Sequence, residues 1–291
     1  RTVTTAYGSI LPYDVAVLDI GASNPGQPHG SPEATVSTKP MHQIEQAEAW
    51  LQTLPERKDM QHLVIAGGGA AGTELALNMQ ARIRREAPRR CSVTVVEGAD
   101  RLMPSFPEGL SQRMADLMAE AGTHLYLGRR VQHRTATHVV LDNGTQLPCT
   151  QLVWATGSVG PPLFSSTPFP CTDQGFVQVH NSLQVPSAPR VFAAGDCAAV
   201  DGYADLRRVG VHAVKQGPLL AENVDRMLRH LEAKRPAIHA YNEAGLQAFR
   251  PYPVAPLILS TGTSKGAWTA GSFWLMRPAA LRLKHFIDLR W

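Results

Sequence analysis

The chain has no long uninterrupted apolar run, no closely spaced cysteine pair and no large excess of either charge, and each absence removes a class of protein. No stretch approaches the roughly 20 apolar residues that a membrane-spanning helix needs, so a soluble or peripheral globular protein is expected. The cysteines Cys91, Cys149, Cys171 and Cys197 form no C-x-x-C or similarly tight pair. That excludes a zinc knuckle or a local redox dithiol and suits reduced thiols in the cytoplasm. None of the eleven histidines stands in an H-x-x-x-H or H-E-x-x-H arrangement, so no metal site is expected. A formal charge of +4 over 291 residues, with basic clusters only between Arg82 and Arg90 and at the end, gives no reason to expect nucleic acid as a partner. What is present is 44% hydrophobic and 18% charged residues, enough for two core-forming domains.

Two segments align without a gap at an offset of 136, GSILPYDVAVLDIGA from Gly8 and GTQLPCTQLVWATGS from Gly144. Each reads as a hairpin strand ending in Leu-Pro, a turn, and an apolar strand that stops at a glycine. Between the copies, HLVIAGGGAAGTELALNMQARI reads as strand, glycine turn and helix, with Leu75, Met79 and Ile83 at spacings of four. A second strand CSVTVVEGA, a helix over LSQRMADLMAEAG, a strand HLYLG and a meander turning at Asn143-Gly144 complete a nucleotide-binding lobe from about Gln61 to Thr150. Gly67 precedes Gly144 by 77 residues, so an equivalent glycine cluster for Gly8 would fall near position −69. The repeat therefore predicts a first nucleotide-binding element of roughly 70 residues upstream of Arg1.

The cluster Gly67-Gly68-Gly69-Ala70-Ala71-Gly72 satisfies G-x-G-x-x-G after an apolar strand and at a helix start. Gly67 allows the tight turn, Gly69 lets the backbone approach a pyrophosphate, and Gly72 permits close helix packing, while the helix amino terminus supplies partial positive charge. Glu97 closes the next strand, 25 residues after Gly72, where a carboxylate accepts hydrogen bonds from a ribose 2′-hydroxyl. That favours NADH, and the nearby Arg101 leaves a 2′-phosphate open. Glu74 lies on the first helical turn, where its charge suits the helix dipole. The alternative role is catalytic, facing the nicotinamide and a flavin edge.

The ordered set PYDVAVLDIGA, VSTKP, VIAGGGAAGTELAL, VVEGADRLMP, LVWATGS, GFVQV, VFAAGDCAAV and AVKQGPLLAENV resembles the pyridine nucleotide-disulfide oxidoreductase superfamily from end to end. Within it the chain looks most like the type II NADH dehydrogenase-like flavoproteins, especially the subgroup associated with or fused to selenophosphate synthase, whose usual ending KHFIDLRW resembles. The resemblance implies FAD and NAD as cofactors, and hydride passing from NADH to the flavin and on to an acceptor. It places Gly195 and Asp196 of AAGDC in the second FAD motif, the aspartate facing the ribityl chain. It sets Val211, Lys215 and Gln216 on the helix that points at the isoalloxazine, and Gly157 and Gly21 at the ends of the two repeated strands near the cofactors. Quinone-reducing members resemble one another in an A-Q-x-A-x-Q pattern on that helix, where this chain has Gly210-Val211-His212-Ala213-Val214-Lys215. The acceptor is thus left open between a quinone and another small molecule. Cys171 and Cys197 suggest sulfide chemistry as a further alternative, and a flavin-free NAD-binding remnant without catalysis is the rival reading.

The expected architecture is α/β. A Rossmann-like NAD-binding domain (59–151) is inserted in a truncated FAD-binding domain (1–58 and 152–235), and a small carboxyl-terminal α+β domain (236–291) follows a boundary near Pro236. In that last part Pro278 suits a helix start. Leu283, Phe286 and Ile287 share a face with Arg282, His285 and Arg290 around it, flanked by Trp274 and Trp291. Such a segment docks on the core, on a second copy of the chain, or on the inner face of a membrane as a peripheral contact.

Overall fold

The computed structural model describes residues 1–26, 29–30, 35–233 and 245–290. The boundary expected near Pro236 and the residue Trp291 lie outside the described residues. The chain divides into two compact units, one made of Arg1–Ser23 with Val159–Ala255 and the other of Asn24–Ser158 with Pro256–Trp291.

The second unit is built on a five-stranded parallel sheet, in the order Thr35–Ser37, Gln151–Trp154, Gln61–Ala66, Cys91–Glu97 and His124–Leu127. The central strands read as near-continuous apolar runs because both faces are covered. Alternate residues serve the two faces: Leu63, Ile65, Val93 and Val95 join one core, while Val64, Ala66 and Val96 join the other. The first core is closed by the helices Ala70–Glu86 and Glu108–Glu120, through Ala76, Met79 and Ile83 and through Leu110, Met114 and Met118. Leu75, expected on the buried face, packs only partly buried against it. The second core is closed by the meander Val131–Arg134, His138–Leu141 and Gln146–Pro148, through Val139, Leu141 and Leu147. The carboxyl-terminal residues belong to this unit. Antiparallel strands Leu257–Ser260, Gly266–Ala270 and Phe273–Arg277 lead into the helix Pro278–Asp288, with Leu259 and Ala267 joining the first core. Contact with the Ala70–Glu86 helix is close at Gly262, where a Cβ would lie 2.3 Å from the Leu77 carbonyl oxygen.

In the first unit, Ala16–Leu18 pairs in parallel with Ala188–Ala193, which also pairs with Gln184–Val185. Val177–Val179 runs parallel to Ala198–Val200. Phe192, Val191 and Phe249 form a core with Met227 of the helix Gly210–Glu232.

The internal repeat is present in three dimensions. Thr2, Val3 and Thr4 pair with Pro12, Leu11 and Ile10. His138, Val139 and Val140 pair with Pro148, Leu147 and Gln146, the same register displaced by 136 residues. The turn glycines match as well, with φ of 80° at Gly8 and 83° at Gly144.

Candidate functional site

At the carboxyl ends of the parallel strands, the turn after Gln61–Ala66 has a shape that only glycine can take. Gly67 holds φ 107°, and a Cβ on it would lie 2.5 Å from the Ala155 carbonyl oxygen. A Cβ on Gly72 would lie 1.9 Å from the Gly67 carbonyl oxygen, so the helix rests directly on the turn. Gly69, the N-cap, is different: its φ of −66° suits any residue, and nothing lies within 4 Å of where its Cβ would be. No side chain caps the helix, so the first amides, including those of Ala70 and Ala71, have no partner within it and face outward with the positive end of the macrodipole.

Glu97 ties the neighbouring strand to this turn. Its Oε2 accepts the Gly68 N–H at 2.5 Å and its Oε1 the Ala99 N–H at 2.8 Å. Each oxygen keeps a second lone pair for a hydroxyl donor. Arg101 is committed elsewhere, donating to the carbonyls of Met103, Pro104 and Phe106. Turn, carboxylate and the end of the Gln151–Trp154 strand enclose a cavity of about 650 Å³, with Gly67, Gly69, Glu97, Trp154 and Gly157 in its wall. That volume lies within the usual range for small-molecule and cofactor sites. The far wall is pinned by Asn24, which donates to the Thr156 and Gly157 carbonyls at 2.5 and 3.1 Å and accepts the Lys39 N–H at 2.8 Å. Trp154 donates its indole N–H to the Pro25 carbonyl at 2.8 Å. Neither Asn24 nor Trp154 was legible as a site residue, because the carbonyls to which they donate are more than a hundred positions away.

Glu74 does not line this cavity. Its Oε1 accepts the Ser260 N–H at 2.7 Å and lies 3.6 Å from the Lys284 ammonium, and Lys284 also reaches Asp288 at 3.3 Å. Burial pushes the Glu74 carboxyl above its ordinary pKa, against the opposing pull of the Ser260 amide and Lys284. Here the side chain fastens the helix Ala70–Glu86 to the carboxyl-terminal strand and helix.

A second cluster lies within the first unit. Gly195 holds φ 69°, and a Cβ on it would meet Asp19 Oδ1 at 2.7 Å; its N–H donates to Gln216 Oε1 at 2.7 Å. The Asp196 carbonyl accepts from Arg208 Nε at 3.2 Å, and the Arg208 guanidinium lies 3.3 Å from the Phe176 ring centroid. The helix Gly210–Glu232 starts after Val209 with no side-chain cap. Asp196, Arg208, His212 and Gln216 line a small recess of about 30 Å³, room for one water or hydroxyl group. Burial, with the charge of Lys215, lowers the His212 pKa, so its ring is neutral at neutral pH. Val211 and Lys215 are half-buried outside the recess, Lys215 with its ammonium 4.0 Å from the Tyr252 ring centroid. The four cysteines are all free thiols with raised pKa values, pushed up by burial to about 11 at Cys91 and Cys149. Among the described residues no group of three His, Cys, Asp or Glu side chains is placed to hold a metal, and no helix is long and apolar enough to cross a membrane.

A sequence profile for the pyridine nucleotide-disulphide oxidoreductases matches residues 2–223. The chain is 32% identical over 177 residues to the mitochondrial internal alternative NAD(P)H-ubiquinone oxidoreductase A1 of Arabidopsis thaliana, a match covering 57% of this chain and 34% of that protein. It is 29% identical over 150 residues to the type II NADH:quinone oxidoreductase of Haemophilus influenzae, covering 48% of this chain and 33% of that one. The matched region thus spans about a third of these curated relatives. Among solved structures, the sulfide:quinone oxidoreductase of Aquifex aeolicus superposes with a TM-score of 0.72 at 17% identity, covering 99% of this chain and 70% of that one. That likeness supports the α/β fold.

Proposed function

The chain belongs to the pyridine nucleotide-disulphide oxidoreductase family, and from that premise we propose that it binds NADH in the cavity at Gly67–Gly69 and serves, with FAD, in passing electrons to a small-molecule acceptor. A quinone is the acceptor suggested by the names of its curated relatives. The carrying observation is the cradle around Gly69: open space where a side chain would stand, uncapped amides of Ala70 and Ala71, and an acidic side chain one strand away. The amides would hold the diphosphate, Gly67 and Gly72 would set its distance from the helix, and Glu97 would accept from the adenosine ribose. Trp154 and Gly157, on the opposite side of the turn, would face the nicotinamide half. The NAD-binding part of this reading is the lobe 59–151, within the compact unit of Asn24–Ser158 with Pro256–Trp291.

The recess at Asp196 has the size of a hydroxyl, so Gly195, Asp196 and Gln216 would hold one edge of FAD, with Val211 and Lys215 on the helix beyond. When bound, FAD would supply hydride acceptance and onward electron transfer, while these residues orient it. Glu74 would act on the site from outside, by fixing the helix that carries the cradle.

The carboxyl-terminal helix and strand expose Phe273, Leu275, Leu283, Phe286 and Ile287 beside Arg277, Arg282 and Arg290. We assign this apolar and basic surface to peripheral contact with an anionic lipid surface.

Titration of the purified chain with NADH, together with its visible absorbance spectrum, tests the main reading. Saturable binding with flavin absorbance is expected. Absence of binding by folded protein overturns the proposal, and colourless protein that still binds NADH reduces it to a nucleotide-binding module.

A further inference from the structure

The strand order gives the cavity a direction. The glycine turn follows Gln61–Ala66, Glu97 ends the next strand on one side, and His124–Leu127 lies beyond that. On the other side of the turn is Gln151–Trp154. If the diphosphate sits at the turn and the ribose at Glu97, the adenine must extend past Glu97, toward the end of His124–Leu127. The cavity wall there contains Gly98, Ala99, Arg129, Arg130 and Val131.

Of the cations near this end, Arg101 is tied to its own loop, and Arg129 donates to the Gly128 carbonyl at 2.8 Å. The Arg130 side chain is exposed, makes no hydrogen bond or ion pair among the described residues, and runs beside Gly98. A Cβ built on Gly98 would lie 3.0 Å from Arg130 Nε, 3.3 Å from its Cγ and 3.5 Å from its Cζ. The φ of Gly98 is not in the left-handed region, so backbone conformation gives no reason for glycine there. Arg130 takes up space that a side chain at position 98 would enter.

We propose that Arg130, seated against Gly98, is the adenine platform of the nucleotide site, stacking its planar guanidinium on the base. Guanidinium groups stack on aromatic faces and are weakly hydrated, so the contact needs little desolvation. This assignment rests on the cavity being the NADH site, and its test keeps the two apart.

The full chain, as wild type, R130A, R130K and G98A, is titrated with NADH, and separately with AMP and reduced nicotinamide mononucleotide as the two halves of the molecule. R130A is expected to weaken NADH and AMP roughly 5- to 20-fold and to leave the mononucleotide unchanged. G98A pushes the guanidinium aside and is expected to act in the same direction, adding nothing in the R130A background. R130K keeps the charge without the plane and is expected not to restore affinity. Because the Arg130 head group makes no polar contact among the described residues, R130A is expected to melt with wild-type protein. Equal NADH affinity in wild type and R130A, an equal loss for both halves, or full rescue by lysine overturns the platform and leaves the NADH site standing. Lack of saturable NADH binding by wild type overturns the site and the platform together.

Discussion

Substituting alanine at Gly69 and at Gly72 separates folding from binding at the same turn. At Gly69 the backbone conformation suits alanine, and the new methyl meets nothing within 4 Å. Two small terms oppose each other in the protein: alanine is a poorer N-cap than glycine, by up to about 1 kcal/mol, and it stiffens the unfolded chain by about 0.4–1 kcal/mol. The melting temperature should therefore move by no more than about 4 °C. The ligand meets a different situation, because the methyl projects where the diphosphate would approach. Overpacking of this kind costs about 1–3 kcal/mol, which is roughly a 5- to 150-fold rise in the NADH dissociation constant. At Gly72 the order is reversed. A Cβ there lies 1.9 Å from the Gly67 carbonyl oxygen, and Gly67 is backed by the Ala155 carbonyl, so helix and turn must separate. Stability falls first, by about 1–3 kcal/mol, and the displaced amides lose the ligand as a consequence. Tryptophan fluorescence, to which Trp154 in the cavity wall contributes, follows NADH binding, and a thermal melt follows folding. Wild-type NADH affinity in folded Gly69→Ala protein would refute the placement of the diphosphate on this backbone.

Glu97→Ala removes the acceptor for the Gly68 and Ala99 amides as well as the proposed ribose contact. NADH affinity should fall by about 1–3 kcal/mol in free energy, measured by calorimetric titration, and unchanged affinity would dissociate Glu97 from the nucleotide. The raised pKa of Glu74 means that the folded chain binds its proton more tightly than the unfolded chain does. Its contribution to stability is full below the unfolded value near 4.5 and is lost as pH rises through the folded one. Glu74→Gln, which can still accept from Ser260, should gain stability relative to wild type as pH rises above that window. Urea midpoints between about pH 4 and pH 8 check this, and a difference independent of pH would contradict the burial argument. The terminal helix should bring the chain down with anionic phospholipid vesicles and not with neutral ones, and Phe286→Ser should weaken that association; co-sedimentation indifferent to vesicle charge and to this substitution would refute the lipid contact.

Much of this protein is readable in its sequence, and the reason is periodicity. Apolar runs buried on both faces announced the parallel strands. The offset of 136 between Gly8 and Gly144 announced a unit used twice, and paired strands with identical registers bear it out. The glycine spacing announced the turn, since Gly67 needs a left-handed φ and Gly72 lies against the Gly67 carbonyl, while the Ala155 backbone behind Gly67 comes from a distant strand. The direction of long polar side chains was not readable. Glu74 and Arg101 looked like site residues by position, yet Glu74 turns to an amide 186 residues away at Ser260, and Arg101 turns into its own loop.

By itself, then, the sequence determined the α/β fold, the repeated hairpins and the dinucleotide turn, because each is marked by local turn chemistry or by continuous apolar runs. Tertiary structure alone decided what surrounds the turn: Asn24 bracing Thr156 and Gly157, Arg130 lying on Gly98, and Glu74 held by the carboxyl-terminal strand and Lys284. Those placements depend on which strand becomes neighbour to which, and a long flexible charged side chain takes whichever partner the packed chain brings within reach.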